Sequence, residues 1–242
     1  AIENAEEAVY EEKKMEEMEV CFLMDRFGYM KLIDKNAYER NKEAVHNENK
    51  YVFNCMNTDK ICIFTDTGKM HTIKAVDIPL GRFRDKGTPV DNLSNYDSSQ
   101  ERMLYVAPVG QLRSDRLLFV TKTSMCKLVE GAEFDVAKRT IASTKLADED
   151  ELIFIGSASE MEQIVLQSHG GCFLRFLTQE VSTMKKTALG VRGMKLADDD
   201  YLEHAYLLAG HQEYTISYHD KEYALNKVRL AKRDTKGIKP RI

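Results

Sequence analysis

The feature that most constrains how this 242-residue chain can fold is a β-hairpin that recurs five times. The first copy is Val20-Cys21-Phe22-Leu23-Met24, a turn at Asp25-Arg26-Phe27-Gly28, and Tyr29-Met30-Lys31-Leu32-Ile33. The second is Ile61-Cys62-Ile63-Phe64, Thr65-Asp66-Thr67-Gly68, Lys69-Met70-His71-Thr72-Ile73. The later copies turn at Thr121-Lys122-Thr123-Ser124, Gln167-Ser168-His169-Gly170 and Tyr218-His219-Asp220-Lys221. Each is a short apolar, β-branched and aromatic run, a small polar turn, and a second such run, which is the pattern of a hairpin. The units begin near residues 20, 61, 117, 164 and 214, at intervals of 41, 56, 47 and 50 residues. A small sheet cannot bury both faces alone, so a hairpin repeated at roughly 40–50 residues implies units that stack radially, as propeller blades do.

Each hairpin predicts a loop and a second strand pair. In the second unit these are a strand over residues 89–93 and then Met103-Leu104-Tyr105-Val106-Ala107. In the third they are Thr144-Lys145-Leu146 and Leu152-Ile153-Phe154-Ile155, and in the fourth Gly193-Met194-Lys195-Leu196 and residues 202–208. The fifth unit stops before its last strand, so either an N-terminal strand completes it or the chain is cut short. Residues 1–18, rich in Glu and Ala without Gly or Pro, predict an acidic linker helix ahead of one β domain over residues 19–242.

The loops between strands carry the charge. Ile78-Pro79-Leu80-Gly81-Arg82-Phe83-Arg84-Asp85-Lys86-Gly87-Thr88-Pro89 is the clearest, and Lys138-Arg139, Lys185-Lys186 with Arg192, and Lys232-Arg233 with Lys236 and Lys239 are weaker copies. The net charge of −4 hides an asymmetry. Residues 1–20 hold eight Glu against Lys13 and Lys14, a net of −6, so the other 222 residues net +2. Residues 221–242 alone carry eight Lys/Arg against Glu222 and Asp234. An electrostatic partner responds to such local fields rather than to the total. Gly28, Gly68, Gly87, Gly193 and Gly237 are expected in turns at positive φ.

Several function classes lose support. The five cysteines form no C-x-x-C pair, and four fall in strand-like runs, so buried free thiols in a reducing compartment are expected rather than metal or disulfide frameworks. Asp148-Glu149-Asp150-Glu151 and Asp198-Asp199-Asp200 lack the spacing of a cation cage and predict solvated turns. No zinc-protease, nucleophile-elbow, Walker or dinucleotide motif occurs, and the six histidines are scattered. No apolar run approaches the roughly 18 residues of a membrane span, so a cytoplasmic protein with no membrane partner is expected.

On these residues the chain resembles the C-terminal DNA-wrapping domain of the A subunit of bacterial type IIA topoisomerases, DNA gyrase or topoisomerase IV. That family repeats a strand, a D-x-G-[KY] turn, a second strand and a basic loop ending in glycine. Residues 65–69 with 84–93 match the unit, and Gly190-Val191-Arg192-Gly193-Met194-Lys195-Leu196 and Thr235-Lys236-Gly237-Ile238 match later copies. The resemblance implies an all-β, propeller-like β-pinwheel of about five four-stranded blades, or six if the ring is longer. It implies a non-catalytic rim that binds double-stranded DNA and presents a segment for transport. The breakage-reunion domain, the ATPase B subunit, ATP and Mg belong by resemblance to the full enzyme, with no cofactor in this domain and a nucleoid-associated location. The family's cleavage tyrosine follows an arginine, and no Arg-Tyr pair occurs here. The expected phosphate contacts are Arg40, Lys42, Arg82, Arg84, Lys86, Lys138, Arg139, Lys185, Lys186, Arg192, Lys232, Arg233, Lys236 and Lys239.

Two departures stand out. The first-blade loop, Tyr38-Glu39-Arg40-Asn41-Lys42-Glu43-Ala44-Val45, lacks the glycine-rich Q-R-R-G-G-K-G box of gyrases, which favours a topoisomerase IV-like role. The third-blade loop, Lys138-Arg139-Thr140-Ile141-Ala142-Ser143, also lacks its glycine. A compact chain of this length has a radius of about 23 Å, which puts five basic loops roughly 30 Å apart on the rim, or about 40 Å at the radius of the DNA axis, on either side of the ~34 Å of a DNA turn. The alternative reading is a propeller-type protein-interaction scaffold, although the chain has no Trp for Trp-Asp repeats.

Overall fold

The computed structural model describes residues 16–241. The expected helix over residues 1–18 falls mostly outside them, and residues 16–18 are not helical. The first blade is built from β1 (Glu19–Met24), β2 (Tyr29–Ile33) and β3 (Tyr51–Met56). The second holds β4 (Lys60–Thr65) and β5 (Lys69–Lys74); the chain then leaves as β6 (Thr88–Pro89) and returns as β7 (Met103–Pro108). The third repeats this with β8 (Arg116–Thr121), β9 (Met125–Glu130), β10 (Thr140–Ala142) and β11 (Leu152–Ser157). The fourth has β12 (Gln163–Ser168), β13 (Phe173–Leu177), β14 (Val191–Arg192) and β15 (Leu202–Leu208). The fifth is the hairpin β16 (Thr215–Tyr218) and β17 (Lys221–Ala224). Hairpins thus start at residues 19, 60, 116, 163 and 215, each within one residue of expectation.

The short strands are exchanged. Sheet orders are β3-β1-β2-β6, β10-β5-β4-β7 and β11-β8-β9-β14, so β6, β10 and β14 each pair with the preceding blade. In the fourth blade Ile238, from beyond the fifth hairpin, bridges to Phe173 in the same way. The third strands lie against one another in the order β3, β7, β11, β15. Because the exchanged strand sits at the opposite edge of each sheet, it forms the rim.

Central hairpin strands are apolar on both sides because each blade is sandwiched. Phe22, Met24 and Met30 pack on Ile61, Ile63 and Val106 between blades one and two. Phe64, Phe119 and Phe134 meet between two and three, with Phe64 and Phe134 edge to face at 4.9 Å. Leu118, Val120, Ile164 and Phe176 fill the next joint, and Phe173 with Tyr218 and Tyr223 the last. The other face of the first blade, Cys21, Leu23 and Ile33, is covered by Ala37 and Val45 of two helices, α1 (Lys35–Arg40) and α2 (Lys42–Glu48). Burial pushes the thiols of Cys55, Cys62 and Cys126 up to about 12, which leaves them unreactive.

Several expected strands shift. Residues 90–93 form a helical turn, α3 (Val90–Leu93), after the two-residue β6. The exchanged strands in the third and fourth units are Thr140–Ala142 and Val191–Arg192, a few residues ahead of the predicted ones. Gly28, Gly68, Gly87 and Gly237 do adopt positive φ, but Gly193 does not; Gly190, at +104°, takes that role. The acidic runs are turns in which Asp150 and Asp200 serve as caps, accepting the Thr123 and Gly170 N–H groups.

Candidate nucleic-acid interface

Four segments carry the exchanged strands across the rim: residues 78–89, 134–142, 181–192 and 228–238. Each starts at a buried apolar side chain, Ile78, Phe134, Val181 or Val228. In the first, third and fourth, a hook follows and ends in a glycine nine residues later, at Gly87, Gly190 and Gly237. A Cβ on these glycines would lie 2.7, 2.6 and 2.7 Å from the carbonyl oxygens of Met30, Cys126 and Phe173 in the receiving strands. Only glycine permits this approach together with positive φ.

Two hooks are closed from beneath by a lysine of the receiving strand. Lys127 is 2% exposed, and its Nζ donates to the carbonyls of Lys186 (2.8 Å) and Ala188 (2.7 Å). Burial pushes its ammonium down to about 8. Lys31, the same position in the first blade, donates to the carbonyls of Phe83 and Asp85. Neither lysine is among the expected phosphate contacts. Aligning Tyr29-Met30-Lys31 with Met125-Cys126-Lys127 is the signal that would have found them.

The second crossing differs in a correlated way. Phe134 precedes Thr140 by six residues rather than nine, so the hook is missing, and Thr140 stands where the others have glycine. His71 replaces the caging lysine. Its Nδ1 lies 2.9 Å from the Thr140 hydroxyl and its Nε2 3.0 Å from the buried Glu101 carboxylate. Glu101 also accepts from Thr65 at 2.7 Å. Burial raises the Glu101 carboxyl, but bonds from His71 and Thr65 outweigh it and hold it below its ordinary value.

The expected contacts divide into two groups. Four are engaged within the protein. The Arg139 guanidinium donates to the Leu93 carbonyl at 3.2 Å, and Lys186 Nζ to that of Glu133 at 3.3 Å. Arg233 donates to the carbonyls of Glu180 (3.0 Å) and Arg192 (2.7 Å), and Arg192 is paired with Asp234. Among the described residues, Arg82, Arg84, Lys86, Lys138, Lys185, Lys232, Lys236 and Lys239 have exposed side chains with no ion pair. The Lys86 ammonium lies 5.0 Å from the centre of the Tyr29 ring, a cation–π contact on an exposed side chain. Arg40 and Lys42 are also exposed, but they sit on α1 and α2, which cap the first blade, and not on a crossing segment. The signal for α1 is its N-cap, Asp34, which accepts from the Ala37 N–H at 2.6 Å.

No group of three or more metal-ligating side chains occurs among the described residues, and no described helix is long and apolar enough to cross a membrane. The arrangement can bind polyanions without reading bases.

Strand-exchanged blades with a cationic crossing segment at each rim joint define a β-pinwheel. The chain belongs to the family described as "DNA gyrase C-terminal domain, beta-propeller", whose model matches residues 59–98, 115–159 and 162–209, the second to fourth blades. It is 25% identical over 236 residues to the A subunit of DNA gyrase from Ureaplasma parvum, covering 91% of this chain and 28% of that protein. Against the A subunit of DNA gyrase from Clostridium acetobutylicum it is 28% identical over 204 residues, covering 80% and 25%. The chain thus spans about a quarter of the length of these relatives. The crystal structure of the C-terminal domain of DNA topoisomerase IV superposes with a TM-score of 0.81 at 22% identity, covering 93% of this chain and 73% of that one. The DNA gyrase A C-terminal domain gives 0.60 at 18% identity, covering 91% and 76%. At these identities the likeness is one of fold.

Proposed function

We propose that this domain binds duplex DNA along its crossing segments and bends it, as an accessory, non-cleaving part of the A subunit of a type IIA topoisomerase. The observation that carries this reading is the recurrence of unpaired cations at one structural position. Counted back from the glycine, Arg82 in the first hook corresponds to Lys185 in the third and Lys232 in the fourth, and Lys86 to Lys236, while Arg84 stands where the later hooks have Thr187 and Asp234. An ordinary solvated surface would scatter such charges without regard to the exchanged strands. Bending a 20–30 base-pair site by 40–90° costs on the order of 1–6 kcal/mol, and counterion release at phosphate contacts offsets it. The full enzyme would supply the breakage-reunion domain, the ATPase B subunit, ATP and Mg.

The helical loop that carries Arg40 and Lys42 favours a topoisomerase IV-like role, bending DNA or presenting a strand rather than wrapping it with a fixed hand. The test is a topological assay. Nicked circular plasmid is incubated with the domain at low salt, sealed with ligase and resolved on a gel, beside a salt titration of binding. Salt-sensitive binding without a change of linking number is expected. A salt-sensitive linking shift would establish gyrase-like wrapping instead, and no binding near 50 mM salt would reject the DNA reading in favour of a protein-interaction scaffold.

A further inference from the structure

The three joints between neighbouring crossing segments are not closed alike. Between the first and second, Arg139 reaches the Leu93 carbonyl. Between the third and fourth, Arg192 pairs with Asp234 and Arg233 donates to the Arg192 carbonyl. The register of the exchanged strands identifies the counterparts of Arg192 and Asp234 at the middle joint. They are Ala142, which pairs with Lys69 as Arg192 does with Met125, and Thr187, three residues before Gly190 as Asp234 is before Gly237. Two small side chains thus replace an ion pair.

What remains is a cleft of about 620 Å³ lined by Lys138, Thr140, Ile141, Thr144, Lys145 and Lys186, besides those two small residues. That volume lies within the usual range of ligand sites. No Asp or Glu lines it. Of the acids that flank the cleft in the chain, Glu133 accepts the Lys186 N–H at 3.3 Å and Asp135 pairs with Lys60 (3.5 Å) and Arg113 (2.9 Å), while Asp148 and Glu149 are exposed in the turn beyond Lys145 and do not line it. Lys138 and Lys145 are exposed and have no ion pair among the described residues. Ile141 and the threonines line the same cleft as the lysines and supply apolar surface, which suits a sugar-phosphate chain better than a bare anion.

We infer that this cleft, opened by Ala142 and Thr187, seats backbone phosphates of the bound duplex, with Lys145 as a contact on a par with Lys138. The inference rests on the proposed DNA binding and adds one seat for the phosphates of the bound strand. Lys145 lies beyond the exchanged strand rather than in a basic hook.

The test uses a fluorescently labelled duplex of about 30 base pairs, titrated by anisotropy between about 50 and 200 mM salt. Each lost phosphate contact lowers the log–log salt slope by about 0.9, so K138A/K145A should lose roughly two units of slope. A second variant, A142R/T187D, restores the ion pair of the neighbouring joint without changing net charge. It should fill the cleft and also lower the slope. If wild type binds with a steep slope and neither variant changes it, the cleft is rejected while the DNA reading stands. If wild type shows no salt-dependent binding, the DNA reading itself fails. Inorganic pyrophosphate serves as the competing probe, read by the ¹³C methyl shift of Ile141. A shift with pyrophosphate but none with duplex would assign the cleft to a free phosphate compound and overturn the inference.

Discussion

Replacing Lys127 by Met should loosen the third crossing segment while keeping the length of the side-chain stem. In the wild type the ammonium donates to two well-placed carbonyls, at 2.8 and 2.7 Å, with a third at 3.5 Å. Hydrogen bonds from a charged donor contribute roughly 1.5–3 kcal/mol each, so the two good ones contribute about 3–6 kcal/mol. Against this stands desolvation, which lowers the pKa from 10.5 to about 8. At about 1.36 kcal/mol per unit, Met would recover on the order of 3 kcal/mol of that penalty. It also leaves the carbonyls to find water or remain unpaired, at about 1–3 kcal/mol each. With water reaching the freed carbonyls, so that the low end of that cost applies, the net expectation is a loss of about 2–5 kcal/mol, or roughly 4–20 °C in Tm for a domain of this size. Urea unfolding measures it, and hydrogen exchange locates it. The Gly193 N–H, bonded to the Ser124 carbonyl at 2.7 Å where the exchanged strand docks, should lose protection before the amides of β12 do. A midpoint shift below about 0.5 kcal/mol, with Gly193 still protected, would refute the view that this lysine holds the hook closed.

Because Lys127 has a depressed folded pKa, the unfolded state binds more protons between about pH 8 and 10.5. Wild-type stability should therefore rise relative to K127M across that window, measured as the difference in urea midpoints at pH 7.5 and 9.5. Gly190→Ala should cost about 2 kcal/mol or more, since it combines positive φ with a backbone clash, and more than Gly193→Ala, whose Cβ meets side-chain ends such as Leu166 Cδ1; thermal melts of both decide. The depressed Glu101 carboxyl contributes stability that is present above its unfolded pKa and lost as pH falls through the lower folded value. Acid titration of H71F/E101Q should accordingly show a flatter decline below about pH 4.5 than wild type. Arg82→Ala with Arg84→Ala should lower the salt slope of DNA binding by about two units with little change in Tm. Arg233→Ala should do the reverse, because its guanidinium is occupied by the carbonyls of Glu180 and Arg192.

Hairpins are legible in the sequence because both of their signals are local. Runs such as Val20 to Met24 are apolar at every position, since a sandwiched blade buries both faces, and small polar turns bound them. The crossings are harder to place. A strand of two or three residues has no periodicity, and its register is set by a glycine meeting a carbonyl in another blade, a contact between distant residues. That is why the strand expected after Gly193 lies instead at Val191–Arg192, with Gly190 rather than Gly193 at positive φ. Val90–Leu93 departs for a different reason: four apolar and polar residues after a proline fit a helical turn as well as a strand. For the rim, charge is legible but engagement is not. Sequence cannot distinguish Lys185, which is unpaired, from Lys186, whose amine and N–H are both bonded to Glu133.

The crossing segments join two demands that oppose each other. A hook such as residues 82–86 places three cations within five residues, and their mutual repulsion favours opening it. The same hook must hold its shape for an exchanged strand of only two residues to dock. Neighbouring blades meet this largely with backbone chemistry, although the first and fourth hooks each carry one carboxylate, Asp85 and Asp234. A lysine beneath the hook, Lys31 or Lys127, is satisfied by carbonyls, and a glycine lets the strand approach to contact distance. Further carboxylates would stabilise the hooks more directly, but they would also neutralise the surface proposed to meet phosphate. Where the hook is absent, at the second crossing, the caging lysine and the glycine are absent too, and a hydrogen-bonded pair, His71 with Glu101, takes their place beneath the strand. The glycine therefore accompanies all three hooks and the caging lysine two of them, the fourth crossing having Leu174 at that position.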